Sequence, residues 1–369
     1  MSKKVTLRDI AQATGVTTAS VSMILNGKEI SRFTPELVSR VQECARALDY
    51  RLPAGRNHLR QIAVISPSVN NPYHTTIIMG IDRAALASGY VAHVYNTYWN
   101  PHVELSILEM LEQQRVSGII YLMNPLQVER ARQLSRHTPV VAIGDIVSDL
   151  GIDTVDVNNF KAGEMVAEYL IGLGHRHIAY LTTSLNEHHI ARVRRCEGLQ
   201  AAFRRRCPEG SVTVYCKDNG YEQEIQSHLI EMDSGRALAQ ECVRNSKITA
   251  IVAINDMVGY GVLDGLLELG YRVPEDYSLC GFDDVFPSAF RRIGLTTVDH
   301  STVDFGARAF HLLKEKLEDR RESSTEIPIT RVEYRCKLIV RESTAAPRKP
   351  ANKKSSPKVD LTGENFAGS

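Results

Sequence analysis

From Ile62 onward the sequence repeats one grammar twice, and that grammar leaves few folds open. In the first round, the apolar runs IAVISPS (62–68), YVAHVYNT (90–97), GIIYLMN (118–124) and PVVAIG (139–144) are separated by helical stretches at 71–88, 101–115 and 126–136. In the second, VDV (155–157), HIAYLTT (177–183), VTVYC (212–216), TAIVAIN (249–255) and YSLCGFDD (277–284) alternate with helical stretches at about 159–173, 189–206, 222–246 and 256–269. Short apolar strands alternating with helices mean parallel sheets, because a parallel pair needs a crossover and the helix both supplies it and covers a face. Two successive rounds predict two doubly wound lobes facing each other. Their cleft, at the carboxyl ends of the strands, is the default ligand site. After Leu295, TTVDHS, a helix to about Arg320 and strands near 326–340 complete the lobes.

The first 60 residues follow a different pattern. In TLRDIAQATGVTTASVSMILN (6–26), Thr6 can cap a helix with Asp9 three residues on, and Leu7, Ile10, Ala11 and Thr14 fall at helical spacing. Gly15 and Val16 make a turn, Thr17 is a second cap, and Val21, Ile24 and Leu25 face inward. Two short helices around a glycine turn describe a helix-turn-helix, whose second helix enters the major groove of DNA; a plain helical hairpin has the same spacing. A third helix starts at Thr34 with Pro35 in its first position, and Val38, Val41, Ala45 and Leu48 give it an apolar stripe. Residues 51–61, RLPAGRNHLRQ, form a basic linker.

Charge follows the same division. Residues 1–60 carry ten Lys/Arg against five Asp/Glu, and 345–369 carry five against two, whereas the whole chain is only +1. The middle is therefore acidic and the head basic, as suits a head that meets phosphate. The seven cysteines are scattered and odd in number, with no C-x-x-C pair, so free thiols in a reducing, cytoplasmic setting are expected. No stretch approaches 18 consecutive apolar residues and MSKKVTLRD has no apolar leader core, so neither export nor a membrane partner is expected. The Pro-, Lys- and Ser-rich residues 345–369 read as a disordered tail, without the leucine heptads of a coiled coil.

The motifs VTLRDIA, GVTTASVSMILNG, NPY, GHRHIAYL, RCEGL, AINDMVGYG, RVPEDYSLCGFDD, LTTV and LIVREST occur in this order between Val5 and Thr344. Together they resemble the lactose/galactose repressor (LacI/GalR) family of bacterial transcriptional regulators. The resemblance implies an all-α helix-turn-helix headpiece (1–50), a hinge (51–61) and an α/β two-lobed, periplasmic-binding-protein-like effector domain (62–344). It divides the latter into an N-lobe of about 62–157 and 298–322 and a C-lobe of about 158–297 and 323–344. It also implies a homodimer on near-palindromic double-stranded operator DNA, with allosteric control by a small effector in the cleft.

Matched position by position, Thr18, Ala19 and Met23, with Ser22 beside them, are the implied base readers. Thr can donate or accept, while Ala and Met can pack on a thymine methyl. Many relatives carry Arg where Met23 stands, so no bidentate guanine contact is expected from this helix. Thr6, Thr17, Ser20, Asn26 and Ser31 are the implied phosphate contacts, and Leu59 matches the leucine that wedges into the minor groove. Pro53 falls one place late and Gly55 replaces a helix former, which disfavours a hinge helix by about 1 kcal/mol.

On the effector side the resemblance points to Tyr73, His74, His189, Arg195, Asn255 and Asp283. A fork donor, an acceptor and an amide in one cleft suit a polyhydroxylated ligand such as a carbohydrate, and an internal Arg195–Asp283 ion pair is the alternative use of the same groups. No cofactor, metal site or catalytic residue is expected. His175 and His177 lack further ligands, Asp283 and Asp284 should point apart, and no phosphate loop, nucleophile elbow or H-E-x-x-H occurs. The leading expectation is a metabolite-controlled, DNA-binding repressor. A cytosolic solute-binding protein or an enzyme on the same fold are the other classes, and the basic headpiece and absent leader argue against transport.

Overall fold

A computed structural model of the chain describes residues 5–25, 32–48, 50, 60–144, 150–186, 189–218, 220, 223, 227–318 and 328–348. The chain divides into two units, residues 1–60 and 61–369.

In the first unit, α1 (Leu7–Thr14), α2 (Thr18–Leu25) and α3 (Pro35–Ala47) pack around Ile10, Ala11, Val21, Ile24, Val41 and Ala45. Local chemistry places each boundary. The Thr6 N–H and hydroxyl both donate to the Asp9 carboxylate at 2.7 Å. Gly15, at φ +70°, ends α1 in the left-handed conformation that glycine adopts without steric cost. The Ser20 N–H donates to the Thr17 hydroxyl at 3.1 Å, capping α2. Leu48, expected on the apolar stripe of α3, is instead 37% exposed, because the helix stops at Ala47.

From the boundary between the units run β1 (Arg60–Ser66), α4 (Pro72–Ala87), β2 (Tyr90–Asn96), α5 (Pro101–Gln114), β3 (Gly118–Tyr121), α6 (Val128–Ser135), β4 (Val140–Ile143) and β5 (Asp153–Val157). There follow α7 (Asn159–Leu173), β6 (His177–Thr183), α8 (Ile190–Arg206), β7 (Ser211–Lys217), α9 (Ile230–Cys242), β8 (Ala250–Ala253), α10 (Asp256–Glu268) and β9 (Ser278–Cys280). The described chain closes with β10 (Thr297–Asp299), α11 (Thr302–Glu318), β11 (Arg331–Tyr334) and β12 (Lys337–Ile339).

The N-lobe sheet runs β11-β5-β4-β3-β1-β2 and the C-lobe sheet β7-β6-β8-β9. The strand periodicity of two explains why helices cover both faces of the first sheet. Along β1, Ile62 and Val64 enter one core with Ile77, Ile81, Phe305 and Phe310 of α4 and α11. Ala63 and Ile65 enter the opposite core with Leu108, Leu111, Ala131 and Leu134 of α5 and α6. In the C-lobe, α7 and α8 cross in backbone contact. A Cβ at Gly163 would collide with the Arg195 carbonyl, and one at Gly198 with the Phe160 carbonyl. The glycine of RCEGL therefore seats α8 on α7 and sets Arg195 against Asn159.

Three details depart from the sequence-based expectations. Residues 331–334, assigned to the C-lobe, pair in parallel with β5 as the edge strand of the N-lobe sheet, and the chain returns toward the C-lobe only with β12, antiparallel to β10. The helix expected at 222–246 spans Ile230–Cys242 among the described residues. The tail begins later than its composition suggests. The Ala345 carbonyl accepts from the Ser278 hydroxyl at 2.9 Å, its N–H donates back at 3.0 Å, and the Arg348 guanidinium lies over Tyr277 at 5.0 Å. Asn26, Ser31 and Leu59, most of the linker and the rest of the tail lie outside the described residues.

Candidate functional site

On α2, Val21 and Ile24 are buried, whereas Thr18 and Ala19 are exposed and Ser22 and Met23 are half-buried. Spacings of one, four and five residues put these four side chains on the outward side of the helix. Met23 is not part of the headpiece's apolar cluster, so its side chain is available at the surface. Thr6 and Thr17 are exposed beside the helix starts and Ser20 is half-buried. Their hydroxyls already serve the caps, and a phosphate would add to those bonds.

In the second unit, Tyr73, His74, His189, Arg195, Asn255 and Asp283 all line one cavity between the lobes, with about 1220 Å³ of empty space including its open mouth. The carboxyl ends of the strands and the starts of the following helices supply them, as the doubly wound topology requires.

Arg195 forms the floor. It is 7% exposed, and its donors are distributed to the Asn159 Oδ1 (2.8 Å), the Ile254 carbonyl (2.6 Å), the Asp283 Oδ1 (3.2 Å) and the His300 Nε2 (3.1 Å). Its planar group also lies over the Phe282 ring at 4.6 Å. The internal ion pair and the cleft position thus coexist. Asp283 sits at φ +106°, a conformation side chains rarely adopt, and Asp284 follows at +47°. The strain is held by the Asp283 N–H on the Val298 carbonyl (2.8 Å) and by Asp284 pairing with Arg341 (2.7 Å). The two carboxylates do point apart, but because of this left-handed turn rather than strand alternation.

Burial pushes the Asp283 carboxyl upward, yet the Arg195 charge and His300 outweigh it and hold the group below the usual carboxylate range. Burial and the adjacent Arg195 lower His300, which suits a neutral ring accepting from Arg195 at Nε2 with Nδ1 beside the Cys336 thiol at 3.5 Å. Burial, aided by Arg192, brings His74 down to about 4, and its buried Nδ1 has no hydrogen-bond partner. His74 is therefore a neutral polar group facing the cleft at ordinary pH.

Several lining residues carry no motif signal. Trp99 follows the end of β2 and lies against His189 with ring centroids 4.4 Å apart; its place after a strand was the available clue. Asn159 opens α7 directly after β5. Glu231 lies outside every motif quoted above, and spacing alone could not have found it. His175, tempting as a metal ligand, is instead a staple: its ring bonds to Thr249, Ser278 and the Ala345 carbonyl. Among the described residues no cluster of three or more His, Cys, Asp or Glu could hold a metal. None of the described helices is long and apolar enough to cross a membrane.

A family model for a periplasmic binding protein-like domain matches residues 167–344. The HTH-type transcriptional repressor PurR of Edwardsiella ictaluri is 28% identical over 355 residues, covering 92% of this chain and 97% of that protein. A LacI-family transcriptional regulator from Silicibacter pomeroyi has a similar structure, with TM-score 0.69 and 25% identity over 92% of this chain and 99% of that one. The fold is also that of a LacI-family regulator from Enterococcus faecium with bound ribose, at TM-score 0.67 and 21% identity over 78% of this chain and 100% of that one. With the headpiece, the lobes and the ordered motifs in place, the chain is similar over nine-tenths of its length to PurR-type repressors and LacI-family transcriptional regulators.

Proposed function

We propose that this protein is a DNA-binding transcriptional repressor whose operator affinity is set by a small metabolite held between the lobes. The observation that carries this is the joining, in one chain, of a three-helix unit presenting a polar helix face to a two-lobed unit with a polar, aromatic-rimmed cleft. Thr18, Ala19, Ser22 and Met23 read bases, while Thr6, Thr17 and Ser20, with Asn26 and Ser31, position the phosphates. Effector and operator then alter each other's affinity by the same factor.

We infer a neutral carbohydrate as the effector. Asp283 already answers the Arg195 charge, so an anion gains little there. The Trp99 ring and the surrounding amides and carboxylates suit hydroxyl groups and a sugar's apolar face. The ribose-bound relative supports this assignment. The cleft binds rather than turns over its ligand and needs no cofactor, and the protein acts in the cytoplasm. Homodimerisation is supported by Phe286 (74% exposed) and Phe290 (51%), which pack edge-to-face at 4.7 Å on the C-lobe surface.

The test is selection of duplexes from a random or genomic pool by the purified full-length chain, followed by titration with sugars, sugar acids and nucleosides. A preferred near-palindromic site whose affinity moves with one sugar is expected. No preference over random competitor, with or without these compounds, would refute the proposal.

A further inference from the structure

Two asparagines cap helices on opposite sides of the cleft, and both give their amide nitrogen to one carboxylate. Asn71, of the N-lobe, caps α4: its Oδ1 accepts from the Tyr73 N–H at 2.9 Å and its Nδ2 donates to the Glu231 Oε2 at 2.8 Å. Asn255, of the C-lobe, caps α10: its Oδ1 accepts from the Val258 N–H at 2.9 Å and its Nδ2 donates to the Glu231 Oε1 at 2.7 Å. Each cap fixes its amide's orientation, since a flip would lose the cap and set oxygen against the carboxylate. Glu231 itself lies in the first turn of α9. The N-terminal ends of three helices, α4, α9 and α10, therefore meet at one acidic side chain, and their partial positive charge favours it there.

A second contact crosses the same mouth. Trp99 of the N-lobe, held at φ +57° beside Tyr98 at +53°, lies on His189 of the C-lobe with the rings tilted by 40°. Loss of lobe closure would separate the two rings.

We propose that Glu231 is a latch that closes the cleft from within. Asn255 anchors its carboxylate to the C-lobe, and Asn71 ties the N-lobe to it. An effector's hydroxyl donors must therefore either exchange with the Asn71 amide or add to it. Glu231 is thus a positioning residue of the cleft, acting through the lobe geometry. Its importance for regulation rests on the effector reading given above; the latch itself does not.

The experiment uses the effector-free full-length chain and its single tryptophan, Trp99. Asn71→Asp keeps the cap oxygen but sets a carboxylate against Glu231. Glu231→Gln sets an amide against the Asn71 amide. In the double variant, the introduced glutamine amide can donate to the introduced aspartate while its oxygen still accepts from Asn255, so the pair is restored with reversed polarity. Losing one charge-assisted hydrogen bond shifts the closed-to-open ratio by about tenfold. Each single variant should therefore show a clearly larger acrylamide quenching constant for Trp99 and a larger radius of gyration by X-ray scattering. The double variant should return to the wild-type values.

Singles that quench and scatter like the wild type would overturn the latch, and so would a double variant as open as its parents. Circular dichroism melts identify folded variants. If Asn71→Asp fails to fold, wild-type behaviour of Glu231→Gln alone is sufficient refutation. Because no effector is added, failure here leaves the effector reading to its own titration.

Discussion

Replacing Arg195 by alanine should unbalance the C-lobe in a pH-dependent way. The substitution removes donors from Asn159, the Ile254 carbonyl, Asp283 and His300 at once. Asp283, 6% exposed, is then left with His300 at 3.5 Å. Breaking a buried pair by removing one partner costs about 3–5 kcal/mol, most of it the uncompensated charge. In the wild type, the Asp283 pKa is held below its unfolded value. Its contribution to stability is therefore present above the unfolded carboxylate pKa and is lost as pH falls through the folded one. Without Arg195, burial, already the largest influence, pushes Asp283 above its unfolded value, and the sign reverses. The ionised group now destabilises the fold at neutral pH, and acidification relieves the penalty by protonating it. Urea unfolding followed by circular dichroism near neutrality and in mild acid should show a gap between wild type and Arg195→Ala that is widest at neutrality and narrows in acid. Arg195→Ala/Asp283→Ala should lose less stability than Arg195→Ala alone, because no charge is stranded. A single variant within about 1 kcal/mol of wild type at neutral pH, with a gap that does not move, would refute the buried-pair account.

Deleting residues 1–60 should abolish operator binding in a mobility-shift assay while calorimetric effector binding persists; loss of both would place the boundary elsewhere. Operator affinity should fall steeply with salt, with a log–log slope on the order of −5 or steeper for the two basic headpieces of the proposed homodimer, and a flat dependence would count against phosphate-led binding. Asp256 accepts from the Val285 N–H (3.0 Å), the Ser288 hydroxyl (2.6 Å) and the Thr297 hydroxyl (2.6 Å). Asp256→Ala should therefore cost about 3 kcal/mol and lower Tm by several degrees, since each bond contributes about 1 kcal/mol; an unchanged Tm would refute the bracing role. Met23→Arg should move the selected operator toward a guanine at one position per half-site, and an unchanged consensus would remove that position from the base readers.

The lobes were legible because the alternation of apolar runs and helices is a physical requirement of parallel sheets, and the headpiece because Thr6, Gly15 and Thr17 punctuate it chemically. The lobe to which 331–334 belongs was not legible. RVEY has strand character in either sheet, and only its pairing with β5 decides. Ala345–Arg348 read as tail because composition cannot register a carbonyl that fits against Ser278 and His175. In the cleft, residues at strand ends or in fixed motifs could be placed. Glu231 could not, because its importance arises from two caps, at Asn71 and Asn255, that lie 184 residues apart in sequence and meet only in the folded lobes.

That meeting bounds how the switch can work. The polar groups of the cleft are largely occupied by one another: Arg195 by Asp283 and His300, and Glu231 by the two cap amides. A ligand entering such a site gains only the difference between the bonds it makes and those it replaces, which moderates its net affinity. Moving a population from about 1:99 to 99:1 requires about 5.5 kcal/mol of differential binding between two lobe arrangements. One exchanged hydrogen bond supplies only a fraction of that. The effector must therefore engage several of these groups at once, on both sides of the cleft, and a fragment that reaches only one lobe should bind without switching.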